Sequence, residues 1–469
     1  MGMRTKLQDV PKYLITLIED IRAKLHDPEF RARHRVLDQD FTRNRQLTFP
    51  VIMLFVLQKT VKSIQKHLHE FFEELSQGDW FQTLTPGAVT HARAKLKPSA
   101  FVELNQQVVL PMVSEQNFPL RRWHGHRLFG HESSLLRLPN TEELAQEFGR
   151  VEVTNQQGAT GTSYPEGRMS VLYDLLNQIG VDARLESSRV GEVSLAIEEA
   201  AHAPVGDIVI NDRGFTGFRY LAEHVHRGLH VVGRCSSGSF LTAQELFRLD
   251  RSGRSLITHL YAPKKERAEL KGLGLPLKLK VRFVSVRLPD DKLEVLVTTL
   301  LDEKEYPTEE FSDLYHRRWG HETFYHRLKS RLDLENFSGQ TVEAVRQDFH
   351  AAVLLCNLES LLTQPAAAAV AQASADHSHA KQVNRADTYH ALKDQVLDLL
   401  YSDLSAETVI GKLQRLFVSN PVSVRPDRKV PRRKPSFNRS YHFQRNVKKK
   451  SCFEPHALNS MAVGQSPLG

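Results

Sequence analysis

The chain has 469 residues, 41% of them hydrophobic and 25% charged, enough for roughly two to four domains with a sizeable buried core. Its three cysteines, Cys235, Cys356 and Cys452, are too few and too scattered for a disulfide framework or a zinc knuckle. The longest apolar run, "FPVIMLFVL" at 49–57, falls well short of the roughly 20 residues of a membrane span, so the expectation is a cytoplasmic chain with no membrane partner and no targeting segment.

Residues 1–120 read as helical. Asp9 and Pro11 open a stretch in which Leu14, Leu17, Ile18, Ile21 and Leu25 recur at helical spacing. In "THARAKLKPSAF" (90–101), Thr90 is a candidate cap and Arg93 and Lys97 stand one turn apart, either as a helix gripping phosphates or as a solvated face.

From about 121 the texture becomes β-rich: "HRLFGHESSLLRLP" (126–139), "DIVIND" (207–212) and "VVGR" (231–234), with a helical "GEVSLAIEEAAH" (191–202) between, as in an α/β sheet. Asp212 follows directly on an apolar strand, at the edge where open α/β sheets present ligands, and Gly214 is suited to a sharp turn. Residues 277–300 read as a hairpin: Leu277, Leu279, Val281 and Phe283 alternate with Lys278, Lys280 and Arg282, then Pro289-Asp290-Asp291 turns into "LEVLVTTL". One face of it is apolar and the other cationic, which suits either a module facing a polyanion or a half-exposed sheet.

"YHRRWGHETFYHRLKSRL" (315–332) sets a single acid, Glu322, among five Arg or Lys and three His. At about 100° per residue, Tyr315, Arg318, Glu322 and Lys329 share one helix face, with Leu314, Tyr325, Leu328 and Leu332 on an adjoining apolar stripe. Arg318 and Glu322 would be worth only about 0.2–0.5 kcal/mol as a surface pair. His321 and His326 are spaced five apart, not the four of a zinc-binding H-E-x-x-H, and so cannot share an ion.

The Ala-rich "PAAAAVAQASADHSHA" (365–380) reads as a linker or a weak helix, and "YHALKDQVLDLLYSDLSAETVIGKLQRLF" as a last helical domain. Residues 421–450 carry eleven Lys or Arg against one Asp, a local +10 within a total of +8, so the rest of the chain is slightly acidic. Such a Pro-punctuated basic segment suits a nucleic-acid arm or a solvated tail.

Glu322, Asp212 and Glu132, with the residues around them, resemble a known family: the DDE transposases of bacterial insertion sequences, in the group marked by Tyr-x2-Arg-x3-Glu-x6-Lys (YREK). Tyr315, Arg318, Glu322 and Lys329 match that signature, and Trp319 follows the Arg as it often does. "DRGF" (212–215) is similar to the second acidic motif and "LRLPNT" (136–141) to the stretch after the first; "SVLYDLLN" (170–177), "KLKP" (95–98) and "PVSVRPDRKVPRRK" (421–434) extend the likeness over most of the chain.

The resemblance implies an α/β fold: an RNase H-like catalytic core with an inserted β-rich domain, flanked by N- and C-terminal helical regions. The corresponding segments are a DNA-binding region (1–120), the core in two parts (121–235 and 301–364), the insertion (236–300), and a linker, dimerising helices and basic tail (365–469). It further implies that Glu132, Asp212 and Glu322 hold two Mg²⁺ ions, for which Mn²⁺ may substitute, while Tyr315, Arg318 and Lys329 hold DNA. The partners would be duplex DNA with terminal inverted repeats, target DNA and a second copy of the chain in a synaptic dimer. Glu132 stands where the family has Asp, and Ser133 where Gly is frequent. A carboxylate displaced by about 1 Å can cost about 10²-fold in rate, which keeps open an impaired DNA-binding protein, or a nuclease without strand transfer. None of the tryptophans, Trp80, Trp123 and Trp319, lies in the insertion, so a flipped base would have to stack on Tyr261 or Phe283. Trp319 is expected to pack in the core.

Overall fold

A computed structural model of the chain describes residues 9–43, 46–59, 63–76, 84–114, 118–154, 160–288 and 291–424. Trp80 and nearly all of the basic 421–450 segment therefore lie outside the described residues.

The chain opens with helices α1 (Lys12–His26), α2 (Pro28–His34), α3 (Phe49–Leu57), α4 (Ile64–Leu75), α5 (Pro86–Arg93), α6 (Ser99–Leu104) and, after a π-helical turn at Asn105–Val109, α7 (Leu110–Ser114). The stripe read from the sequence of α1 is its buried face: Leu14, Leu17, Ile18, Ile21 and Leu25 are all inside. Each such side chain stabilises by about 1.5–3 kcal/mol, which holds α1 without help from propensity. α3, apolar on every side, is buried almost throughout.

Next come β1 (Leu128–Arg137), α8 (Glu142–Phe148), β2 (Arg150–Thr154), β3 (Thr160–Asp174), β4 (Ile179–Ser187), α9 (Glu192–Glu199), β5 (Ile208–Asn211), α10 (Phe218–His226) and β6 (His230–Arg234). They are followed by α11 (Leu241–Leu249), β7 (Arg254–Tyr261), α12 (Arg267–Gly272), β8 (Lys278–Arg287), β9 (Leu293–Thr298), α13 (Glu310–His316) and α14 (Trp319–His326), then a second π-helical turn at Arg327–Arg331. The chain continues through α15 (Val342–Ala373), β10 (Lys381–Gln382), α16 (Arg385–Asp394), α17 (Val396–Leu400), α18 (Ala406–Ser419) and β11 (Val422–Ser423).

Nine of the strands form one mixed sheet, in the order β2-β3-β1-β5-β6-β9-β8-β7, with β4 also paired to β3. β1, β5 and β6 run parallel, and the β3 and β4 pairings beside them are antiparallel. β5, "IVIN", is buried at every position, as a parallel strand covered on both faces must be. The predicted hairpin is present as β8 and β9, but it joins the central sheet through β6 and β9. Its cationic face extends over Lys278 and Lys280 only. Arg282 is fully buried, donating to Ser255, the Tyr306 carbonyl and Thr308, because β8 becomes an interior strand from Val281 onward.

α15 is the axis of the helical layer, packing on β4, α3, α6 and α18. It runs unbroken through Pro365 to Ala373, where Ala366 and Val370 are buried, so the first part of the Ala-rich stretch continues a core helix and residues 374–380 lie past its end. By length and composition α15 is apolar enough to cross a membrane, and 72% of its apolar window is buried within the protein. Glu359, on this helix and fully buried, accepts from Arg385 Nη1 at 2.7 Å, with Arg327 Nη1 at 3.8 Å. One carboxylate thus ties α16 to the π-helical turn after α14. The predicted last helical domain is present as α16 to α18, of which α17 and α18 pack on α1; Arg22 of α1 donates to the carbonyls of Asp398, Leu399 and Leu404.

Around α5 the structure differs from the sequence expectation in two places. Thr85, followed by Pro86 at the first helical position, caps α5 in place of Thr90. α5 ends at Arg93, so Arg93 and Lys97 do not share a helix face.

Candidate active site

Strand register brings two distant acids together. Parallel β1 and β5 pair Gly130 with Ile210, and Glu132 and Asp212 each stand two residues farther along, where β5 ends. Asp212 caps a 3₁₀ turn at Arg213–Phe215 through its bond from the Arg213 N–H at 2.7 Å, and Gly214 makes the turn without a left-handed backbone conformation. Glycine matters instead on the neighbouring strand: a Cβ on Gly233 would meet the Thr216 methyl at 2.7 Å, so only glycine lets the loop after Asp212 fold back onto β6.

The third acid arrives on α14. This helix lies over the face of β1 that carries Gly130 and Glu132, with His321 Nδ1 only 3.2 Å from where a Gly130 Cβ would be. The Tyr325 hydroxyl donates to the Glu132 carbonyl oxygen, fixing helix to strand beside the carboxylate. The stripe that anchors the helix is the predicted one, with Leu314, Tyr325, Leu328 and Leu332 all buried. The helix itself is not continuous: α13 stops at His316, α14 starts at Trp319, and a π-helical turn follows, an irregularity often found at functional sites. His321 is buried between Tyr173 and Tyr325 while His326 is exposed, so the two histidines do not face one ion.

Arg318 joins the acids. It is 5% exposed; its Nη2 donates to Glu322 Oε1 at 3.4 Å and its Nη1 stands 3.9 Å from Glu132 Oε2. Its guanidinium lies over the rings of Tyr315 and Trp319. The Tyr315 hydroxyl, buried, donates to Asp212 Oδ1 at 3.4 Å. On its other side, Asp212 accepts from Arg234 Nε at 2.8 Å, with Arg234 Nη2 at 2.7 Å and Nη1 on Glu294 at 3.0 Å.

The environments push the two strand acids apart. Burial raises the Glu132 carboxyl to about 7; Arg318 opposes the rise, and Glu322, Asp212 and Glu192 add to it. Burial acts the same way on Asp212, but the Arg213 N–H, Arg234 and Arg318 overcome it and leave that carboxyl below its ordinary value.

Among the described residues, no three His, Cys, Asp or Glu side chains stand close enough around one point to ligate a metal ion as they are. The fork of Arg318 reaches both Glu132 and Glu322. The donor chemistry nevertheless fits a hard divalent cation. All three acids offer carboxylate oxygens, and Glu132 Oε2 is buried without accepting a hydrogen bond, an arrangement suited to Mg²⁺ or Mn²⁺ rather than to a soft metal.

The other sequence candidates fare differently. Lys329 stands farther along β1 than Glu132: its Nζ donates to the Leu135 carbonyl, and its charge is felt by Glu166. Arg93 is not a phosphate contact. It is buried, with Nη2 on Asp348 Oδ1 at 2.7 Å and on the Ala344 carbonyl at 2.6 Å, Nε on Gln347 and Nη1 on Ser338. Lys97 is half-buried and donates to the Arg33 carbonyl. Trp319 is not a core residue, being 45% exposed beside Arg318. Phe283 is buried in the sheet and cannot receive a base, whereas Tyr261 is 62% exposed.

Two groups escaped the sequence reading. Arg234 had a signal: "VIND" and "VVGR" are parallel neighbours with Asn211 paired to Gly233, so the residue after each meets the other. The second group, in which Arg168 Nη1 donates to Ser133 Oγ and Ser133 to Glu192 at 2.7 Å each, joins three separate elements behind Glu132 and had none.

The family model described as the transposase DDE domain matches residues 124–358, half of the chain, a span that includes all three carboxylates. No curated protein matches. Seven chains of solved structures match; one is the piggyBac transposase in a synaptic complex with hairpin DNA. It is 10% identical, with 98% of this chain and 92% of that one covered and a TM-score of 0.41.

Proposed function

The chain belongs to the transposase DDE-domain family, and from that premise we propose that it cuts DNA at the inverted-repeat ends of a bacterial insertion sequence and joins those ends to target DNA. The observation that carries the reading is the gathering of Glu132, Asp212 and Glu322 around Arg318 at one end of the sheet. In this reading β4, β3, β1, β5 and β6 are the RNase H-like core, 236–300 is the β-rich insertion, 1–120 binds DNA, and 365–469 dimerises and carries a basic arm. The site of action is the cytoplasm, on DNA.

Glu132, Asp212 and Glu322 would hold Mg²⁺, or Mn²⁺ in its place. Bound there, a pair of such cations neutralises charge on the entering and leaving oxygens of a phosphodiester. The chain's own residues do the positioning. Arg234 and Tyr315 fix Asp212, and Tyr325 fixes the backbone at Glu132. Arg318 and Lys329 supply positive charge along the path of the strand, Lys329 from a partly exposed position over β1. DNA phosphates would draw Arg318 from the acids, since a guanidinium fork binds phosphate bidentately.

The test is cleavage of an end-labelled duplex carrying the repeats that border the gene, with Mg²⁺, with Mn²⁺ and with chelator. Metal-dependent nicking at the repeat, abolished in Glu322→Gln, is the expected result; cutting that survives chelation or that substitution contradicts the assignment. Glu132→Asp shortens the one ligand that departs from the family, and is expected to be faster by up to about 10²-fold. Binding without cleavage in either metal would favour the impaired DNA-binding reading, and cleavage without joining the nuclease.

A further inference from the structure

Arg318 is buried more deeply than a simple phosphate clamp requires. One nitrogen of its fork faces Glu132 Oε2 and another faces Glu322 Oε1, and its charge is felt by Asp212 as well. Those oxygens belong to the side chains that a divalent cation would need. A guanidinium and a metal ion cannot both sit between the same carboxylates, because each would bring positive charge and bulk into one small space. That accounts for three acids gathered at one place without a ligating cluster among the described residues. Its guanidinium lies over the rings of Tyr315, which is buried, and of Trp319, which is exposed to solvent.

We propose that Arg318 is a built-in counter-ion that withholds the three acids from divalent cations, so that the DNA-free chain loads metal poorly. The inference rests on the metal-site reading above and deepens it. In the metal-free chain Arg318 relieves the repulsion among Glu132, Asp212 and Glu322; for a cation to enter, the guanidinium must leave. Arg318 then controls loading without itself being a ligand.

The experiment is Mn²⁺ binding to the full-length chain, by calorimetry and by the loss of free Mn²⁺ paramagnetic signal, in the parent protein and in Arg318→Gln, Arg318→Lys and Glu322→Gln. Arg318→Gln is expected to bind Mn²⁺ at least about tenfold tighter, since the competing charge is gone. Arg318→Lys keeps a charge but cannot bridge two carboxylates, and is expected to fall between it and the parent; it carries the test if the Gln variant does not fold. Glu322→Gln is expected to weaken binding at least about tenfold. Unchanged or weaker affinity in both Arg318 variants, with Glu322→Gln still weakened, would overturn this inference alone. Affinity untouched by Glu322→Gln would overturn the metal-site reading beneath it.

Discussion

Replacing Glu132 by Gln removes one charge from the site while keeping its volume, and the consequence for stability can be worked from the environment of that side chain. In the native chain without metal this carboxyl is pushed up to about 7, against 4.5 for a free one, chiefly by burial; Arg318 opposes the rise, and Glu322, Asp212 and Glu192 add to it. Between those two values the native chain holds a proton that the unfolded chain has lost, so native stability falls as pH rises through that window. At about 1.4 kcal/mol per pH unit the ceiling is about 3 kcal/mol. With the side chain 29% exposed, solvent screening brings the expected figure to about 2 kcal/mol. Urea denaturation in chelator at about pH 5 and about pH 7.5 measures it. The parent protein should lose about 2 kcal/mol more than Glu132→Gln between the two conditions. Parallel losses would mean that the carboxyl is neither buried nor crowded by other acids, and the site as described would be wrong.

Three further outcomes are expected. Arg93→Met leaves the buried Asp348 and its neighbours without their main cation and should cost about 3–5 kcal/mol in urea denaturation, with no change in the salt dependence of DNA binding; had Arg93 been a phosphate contact, that slope would fall by about one. Tyr315→Phe removes only the hydroxyl that leans on Asp212 and should slow cleavage by about fivefold or less with the fold intact, read as initial rates. Glu359→Gln removes the carboxylate shared by Arg327 and Arg385 and should destabilise by about 3 kcal/mol, seen as a lower urea midpoint.

What was legible in the sequence follows from how each feature is encoded. The helical stripe of α1, the apolar strand before Asp212, and the β8–β9 hairpin are local patterns of period 3.6 or 2, and the structure has all three. The acids were legible as spelling, through the YREK spacing and "DRGF", but their convergence on Arg318 depends on the pairing of β1 with β5 and on the docking of α14 at Gly130, neither of which a linear pattern states. Lys329 shows the limit of helical projection: a π-helical turn shifts the phase after His326, and its amine ends on a backbone carbonyl of β1. Arg93 and Arg282 show another. Arginines in polar-looking stretches read as exposed cations, yet both are interior residues whose partners, Asp348 and Gln347 for one, the Tyr306 carbonyl and Thr308 for the other, come from elsewhere in the chain. The Ala-rich segment divides: 365–373 continue α15, held by the burial of Ala366 and Val370, while 374–380 lie past the helix end.

The most direct measurement is the anomalous scattering of Mn²⁺ in crystals of the chain bound to duplex DNA. One or two peaks flanked by the carboxylates of Glu132, Asp212 and Glu322, with the Arg318 guanidinium withdrawn from between them, are the expected result. Peaks elsewhere, with the three acids unliganded around Arg318, would contradict it.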